Sequence, residues 1–315
     1  CRLGLSVAAL LAFNLLKAVD ETEGEEWLVL SKQGFTLYEA GNYERALSLF
    51  SRSLELREEI FGEYHPRVAT ALNNLAATYQ AQGNYKRAEA LLVRSLSIME
   101  QNLDPGDPKI ASNLNNLALN YQKQGKLDEA KALYDRSMRI LENSFRDEDL
   151  NLVPLLTNLG TYYKEKGQLI AAEVLLERSL VISEISFNPN DPRLVNQLNN
   201  LGEVYRLNGE LQAAELMFKR SHDIIERSLG LHHPDLGTVY NNLALVYSDQ
   251  GDHLKAESFL KQSLEHCKQS LGPDHPNVIK GLMNLAQLYR KMNRIKEAEK
   301  FEEQVAQILQ GTNGE

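Results

Sequence analysis

Six four-residue cassettes recur along this chain at a constant spacing. They read Asn73-Asn74-Leu75-Ala76, Asn115-Asn116-Leu117-Ala118, Thr157-Asn158-Leu159-Gly160, Asn199-Asn200-Leu201-Gly202, Asn241-Asn242-Leu243-Ala244 and Met283-Asn284-Leu285-Ala286, each starting 42 residues after the one before. A fixed period of that length marks a solenoid, in which every repeat is one supersecondary unit that buries its apolar face only against its neighbours. One repeat domain therefore replaces the two globular domains that 315 residues would otherwise suggest.

Aligned at this period, Gly41, Gly83, Gly125, Gly167, Gly209 and Gly251 form one column, with Asn293 in the seventh slot. These residues tolerate the left-handed conformation that ends a helix. A helical pattern precedes each of them and a longer one follows, so each unit reads as helix A, a tight turn, then helix B. In helix A the cassette leucine is followed four residues later by Tyr79, Tyr121, Tyr163, Tyr205, Tyr247 or Tyr289, which predicts one buried stripe. In helix B, Ala46, Ala88, Ala130, Ala172, Ala214, Ala256 and Ala298 predict a close helix crossing, and Ser53, Ser95, Ser137, Ser179, Ser221 and Ser263 a second small site. Arg52, Arg94, Arg136, Arg178 and Arg220 are expected to pair with acids across repeats.

Units are punctuated by His65-Pro66, Asp107-Pro108, Asp191-Pro192, His233-Pro234 and His275-Pro276. Proline suits the first helical position and Asp the cap before it. The fourth unit lacks the proline after Asp149, so its helix A is expected to start late. The units fall at about 25–66, 67–108, 109–150, 151–192, 193–234, 235–276 and 277–309, with a disordered tail over 310–315.

Residues 3–16 are an apolar run between Arg2 and Lys17, and an acidic stretch follows to Glu26. Residues 1–24 read either as a secretory signal peptide plus linker or as a capping helix on the first repeat. The first reading makes the protein exported or membrane-associated, with residues 1–18 as the signal; the second leaves it cytoplasmic.

The small-residue, Tyr, Gly, Ala and small-residue columns resemble the tetratricopeptide repeat (TPR). The longer period, the His-Pro or Asp-Pro boundary and phrases such as Ala88-Glu89 and Arg94-Ser95-Leu96 resemble the kinesin light chain type, over residues 25–309. The resemblance implies an all-α fold, a right-handed α-solenoid of about seven helix-turn-helix units, whose A helices line a concave groove that holds an extended peptide. The N-terminal coiled coil of kinesin light chains has no counterpart here, which speaks against a motor-adaptor role.

By that resemblance the groove-facing residues include the second Asn of each cassette: Asn74, Asn116, Asn158, Asn200, Asn242 and Asn284. Asn is a middling helix former, yet it sits mid-helix six times, and its amide both donates and accepts. A row of such amides can pair with a peptide backbone; alternatively, each bonds to the next repeat and aids stacking. Lys164, Arg206 and Arg290, three residues before the turn, either favour an acidic peptide or a terminal carboxylate, or are solvated helix ends.

The net charge of −9 and the lack of basic blocks argue against nucleic acid. No phosphate loop, H-E-x-x-H, C-x-x-C or G-x-S-x-G motif occurs, and the seven histidines do not converge in the sequence. The chain therefore reads as a binding protein without catalytic residues, cofactor or metal. Three roles follow: a scaffold for a peptide or partner protein, a regulatory or substrate-docking subunit of a larger enzyme, or a structural self-associating array.

Overall fold

A computed structural model describes residues 26–312. Among the described residues there are fourteen α-helices and no strand. The all-α helical-repeat architecture expected from the period is the one the chain adopts. The helices divide into two compact units, parted between Glu165 and Lys166. The first holds α1 (Glu26–Glu39), α2 (Tyr43–Phe61), α3 (Pro66–Ala81), α4 (Tyr85–Asn102), α5 (Pro108–Lys123), α6 (Leu127–Ser144) and α7 (Val153–Glu165). The second holds α8 (Leu169–Ser186), α9 (Val195–Leu207), α10 (Leu211–Leu229), α11 (Asp235–Asp249), α12 (His253–Leu271), α13 (Pro276–Lys291) and α14 (Ile295–Thr312). Within each unit, A and B helices of one repeat pair as hairpins, and each B helix packs on the next A helix.

The expected signal peptide or capping helix over residues 1–24 lies outside the described residues. The array was expected to end near Leu309, but α14 runs to Thr312, so residues 310–312 of the expected tail are helical; 313–315 lie outside the described residues. Among the described residues no helix is long and apolar enough to cross a membrane.

Local chemistry places the helix ends where the columns indicate. The turn glycines have φ between 71° and 85°, and Asn293, their stand-in, has φ 59°. Asp107 caps α5, accepting from the Lys109 amide at 2.8 Å, with Pro108 in the first turn. Histidine does the same job elsewhere: His65 Nδ1 accepts from the Arg67 amide and His275 Nδ1 from the Asn277 amide, both at 3.1 Å. The fourth unit does start late, with a 3-10 turn at Leu150–Leu152 before α7. The fifth behaves alike despite its proline, through a turn at Pro192–Leu194 before α9.

A histidine cap works only when Nδ1 is unprotonated. Burial holds His65 below its usual range, with the Arg67 charge adding to the effect, and burial also lowers His275. Below about pH 6.5 the unfolded chain takes up protons that these folded histidines resist, so their contribution is full above that pH and is lost as pH falls through the depressed folded values. His65→Asp/His275→Asp, with caps ionised down to about pH 4, is expected to lose less stability between about pH 7.5 and pH 5 than the natural chain. Urea midpoints at the two pH values check this; parallel losses refute it.

Packing follows the small-residue columns. Ala46, Ala88, Ala130, Ala172, Ala214, Ala256 and Ala298 are fully buried. The serine column is more than small. Ser53, Ser95 and Ser137 donate at 2.8 Å to the carbonyls of Trp27, Ala69 and Ala111, and Ser263 donates to that of Gly237 at 2.6 Å. Each of these bonds ties the middle of helix B to the start of its own helix A, 26 residues back. Ser221 lacks this partner, and its hydroxyl is buried unpaired.

Neighbouring repeats are clamped through the tyrosine column. Tyr247 and Tyr289 donate to Glu215 and Glu257 of the preceding B helix at 2.8 and 2.6 Å. The expected arginine pairs also form across repeats, Arg94 with Glu58 at 2.8 Å, Arg136 with Glu100 at 2.5 Å, and Arg220 with Glu184. Arg52 instead pairs within its own helix, with Glu55 at 2.9 Å.

Candidate functional site

The cassettes lie in the interior of the A helices, each placed by the burial of its leucine. Leu75, Leu117, Leu159, Leu201, Leu243 and Leu285 are all buried. The residue before each leucine is turned away from the deepest packing. Asn74 and Asn158 are still buried, at 7% and 6% exposure, whereas Asn116, Asn200, Asn242 and Asn284 are half-buried.

These amides form rungs between repeats in a selective way. Asn158 Nδ2 donates to Asn115 Oδ1 at 3.1 Å, reaching the first Asn of the preceding cassette. Asn284 Nδ2 makes the same bond to Asn241 Oδ1 at 2.6 Å. The corresponding bonds from Asn116 to Asn73 and from Asn242 to Asn199 are not made, and Asn73 Oδ1 and Asn199 Oδ1 are buried without a partner. Each unit thus has one closed rung and one open rung. Asn200 bonds within its own helix, to Asn196 Oδ1 at 3.3 Å. Asn113, missed by the cassette reading because it lies two residues upstream, is fully buried. With its amide oxygen accepting from Asn73 Nδ2 and the Leu96 amide, both at 3.3 Å, its nitrogen donates to the Leu92 carbonyl at 3.3 Å. Asn73 therefore spends its nitrogen on Asn113 while its oxygen stays unpaired.

Two of the three cations, Arg206 and Arg290, are each spent on an acid of their own unit. Arg206 bridges to Asp249 at 2.6 Å, at the end of the next A helix in its unit. Arg290 is exposed and grips Glu302 of α14 through Nε and Nη2, both at 2.8 Å. Lys164 is half-buried at the end of α7. In the first unit the place of Arg206 belongs to Gln122, whose Nε2 donates to Glu165 at 2.8 Å. At these two junctions the ends of successive A helices are joined by a donor on one and an acid on the next. On α10, the ligand atoms of His222, Asp223 and Glu226 lie within 4.8 Å of one another at the surface. The sequence reading passed over this trio because it weighed the histidines alone.

A family model described as the tetratricopeptide repeat matches residues 28–101, 109–185, 193–269 and 235–311. A search of curated proteins gives no match. Among solved structures, a kinesin light chain-type array of nearly identical TPR-like repeats from Podosopora anserina is similar at 25% identity with a TM-score of 0.56, over 66% of this chain and 98% of that one. The apo form of the quorum sensor NprR from B. thuringiensis is similar at 18% identity and TM-score 0.71, over 96% of this chain and 82% of that one. The Cut9–Hcn1 hetero-tetramer of APC/C is similar at 16% identity and TM-score 0.57, over 94% of this chain and 55% of that one. The last two likenesses are of fold alone.

Proposed function

Because the chain belongs to the tetratricopeptide-repeat family, we propose that it is a protein-interaction scaffold whose A helices bind an extended peptide segment of a partner, by recognition and without catalysis. The observation that carries this reading is the pair of open rungs. A buried amide oxygen with no donor destabilises the free protein by about 1–3 kcal/mol. Asn73 Oδ1 and Asn199 Oδ1 are in that condition. An extended backbone offers alternating N–H and C=O groups. A peptide lying along either unit can supply the missing donor, or draw the Asn116 or Asn242 amide into line while bonding its other side. The closed rungs at Asn158 and Asn284 hold the repeats in register. A regulatory or docking subunit of a larger enzyme would act through the same binding, with the enzyme as partner.

The test separates the two kinds of rung. Asn116→Ala/Asn242→Ala is expected to keep the thermal midpoint of the natural chain and to weaken capture of partners from native lysate at least tenfold. Asn158→Ala/Asn284→Ala removes two made bonds and strands Asn115 Oδ1 and Asn241 Oδ1, so it is expected to lower stability by about 1–3 kcal/mol per rung. If the first variant captures the same proteins as the natural chain, the asparagines serve stacking alone and the peptide reading is wrong.

A further inference from the structure

The outer face of α8 differs from that of the other B helices. Ile170, Val174, Val181 and Ile185 are 76%, 60%, 53% and 60% exposed. Their spacing of four, seven and four residues places them on one stripe. At the rise of an α-helix the stripe is about 22 Å long. In register with Val181 the other repeats carry Glu55, Ser97, Arg139, Asp223, Glu265 and Gln307. In register with Ile185 they carry Glu59, Gln101, Asn143, Arg227 and Gln269. Single exposed apolar residues, such as Leu254 in register with Ile170 and Leu216 in register with Val174, need no explanation, but four of them in one contiguous stripe, which no sister helix carries, mark a contact surface.

One flank of this stripe is acidic. Glu173, Glu177 and Glu184 follow one another along α8 at helical spacing, and of the three Glu184 is paired with Arg220. Three glutamates equivalent to Glu173 face a cation: Glu89 meets Lys126 at 2.9 Å, Glu215 meets Lys219 at 2.6 Å and Glu257 meets Arg294 at 2.9 Å. Around Glu173 the place of Lys219 is taken by Glu177, and the place shared by Lys126 and Arg294 by Glu210. Asn208 donates to Glu173 at 3.3 Å and to Glu210 at 2.7 Å, and Tyr205 donates to Glu177 at 2.6 Å. These donors are uncharged. Burial, together with the Glu210 and Glu177 charges, pushes the Glu173 carboxyl above its usual range.

We propose that the exposed face of α8 docks an amphipathic helix of a partner protein, one whose apolar stripe covers Ile170, Val174, Val181 and Ile185 and whose flank sets lysines or arginines against Glu173, Glu177 and Glu210. This surface is on a B helix, away from the cassettes, and does not depend on peptide binding there. A second copy of this chain is the wrong occupant. It carries a net charge of −9, and antiparallel pairing of two α8 helices would bring the acidic flank with Glu173 and Glu177 against the same flank of the other copy. A single helix face falls below the roughly 1,200–2,000 Å² of a stable interface, so binding is expected to be weak, with a Kd on the order of tens of micromolar.

The experiment is fluorescence anisotropy of the full chain with a labelled synthetic helix that carries leucines at the spacing of the stripe and lysines along one flank. Saturable binding is expected, weakened at least tenfold by Val174→Glu/Val181→Glu. Both positions face solvent, so circular dichroism of that variant should be unchanged. Glu173→Gln/Glu177→Gln should weaken binding several-fold and flatten its salt dependence. Lack of saturation at about 1 mM peptide would overturn the proposal. So would equal affinity for a peptide with glutamates in place of the lysines, or binding unaffected by Val174→Glu/Val181→Glu. A natural chain that sediments as a dimer, and that Val174→Glu/Val181→Glu makes monomeric, would show a second copy on this face and equally overturn it. The same holds if the peptide binds only after residues 1–18 are deleted.

Discussion

Gly202→Ala is expected to lower the stability of the repeat formed by α9 and α10 by about 1–2 kcal/mol, although alanine is the better helix former. Two effects oppose each other at this position. Replacing a mid-helix glycine by alanine is favourable by roughly 0.5–1 kcal/mol. Against that, a Cβ at Gly202 would lie 2.8 Å from Phe218 Cε1, 2.9 Å from its Cζ and 3.2 Å from Met217 Cβ. Phe218 is 1% exposed and has little space to retreat into. Overpacking of this kind costs about 1–3 kcal/mol, and the clash wins.

The chain contains its own control. Gly34 faces Phe50 in the same way, with a Cβ-to-ring distance of 2.7 Å. Where the slot holds Ala76 or Ala244, the residue sixteen positions on is Leu92 or Leu260, although Ala118 is matched with Tyr134 and Gly160 with Leu176. Leucine lacks the ring atoms that a Cβ at position 202 would meet, so Gly202→Ala/Phe218→Leu should recover at least half of the loss, a coupling that independent sites would not show. Because repeat arrays unfold by neighbouring units, hydrogen exchange within α9 and α10 is the sensitive readout. Faster exchange in Gly202→Ala and recovery in the double variant are expected. Slower exchange in the single variant would mean that the ring yields and the slot is not size-limited.

Tyr134→Phe is expected to destabilise the first unit by about 1–3 kcal/mol while removing a single oxygen. Tyr134 is fully buried, and its hydroxyl donates to Gln122 Oε1 at 2.8 Å. Gln122 is itself 4% exposed and passes the chain of bonds on to Glu165. Losing the phenol strands the Gln122 oxygen away from water, whereas losing both partners removes the orphan. Tyr134→Phe/Gln122→Leu should therefore fall short of the summed single effects, measured as urea midpoints and as exchange in α5 to α7. Additive losses would show that water reaches Gln122.

Tyr134 also shows why part of the site was not legible beforehand. Its column holds Phe50, Leu92, Leu176, Phe218 and Leu260, so periodicity marks it as one more core side chain. Gln122 sits in the column of Lys164, Arg206 and Arg290, which reads as a row of cations for a ligand. The contact between the two depends on how α5 and α6 cross. Arg206 is similar: its type and position suggest an anion site, and the structure sets Asp249 against it at 2.6 Å. The open and closed rungs belong here too, because Asn116 and Asn158 occupy identical places in their cassettes and differ in what their amides meet.

The sequence by itself determined the repeat, its length, its turns and its core. A 42-residue period, glycines at the turn and alanines at the crossing each leave the backbone a single inexpensive solution, and those solutions agree. Asp107 and the histidines before proline mark helix starts for the same local reason. Tertiary structure decided which polar groups found partners. Hydrogen bonds between repeats join side chains about 43 residues apart, and their formation turns on fractions of an ångström that a column of identical letters does not encode. The α8 stripe was legible residue by residue, yet only the packing of α8 showed which of its apolar residues are buried, as Leu176 and Leu180 are, and which remain in water.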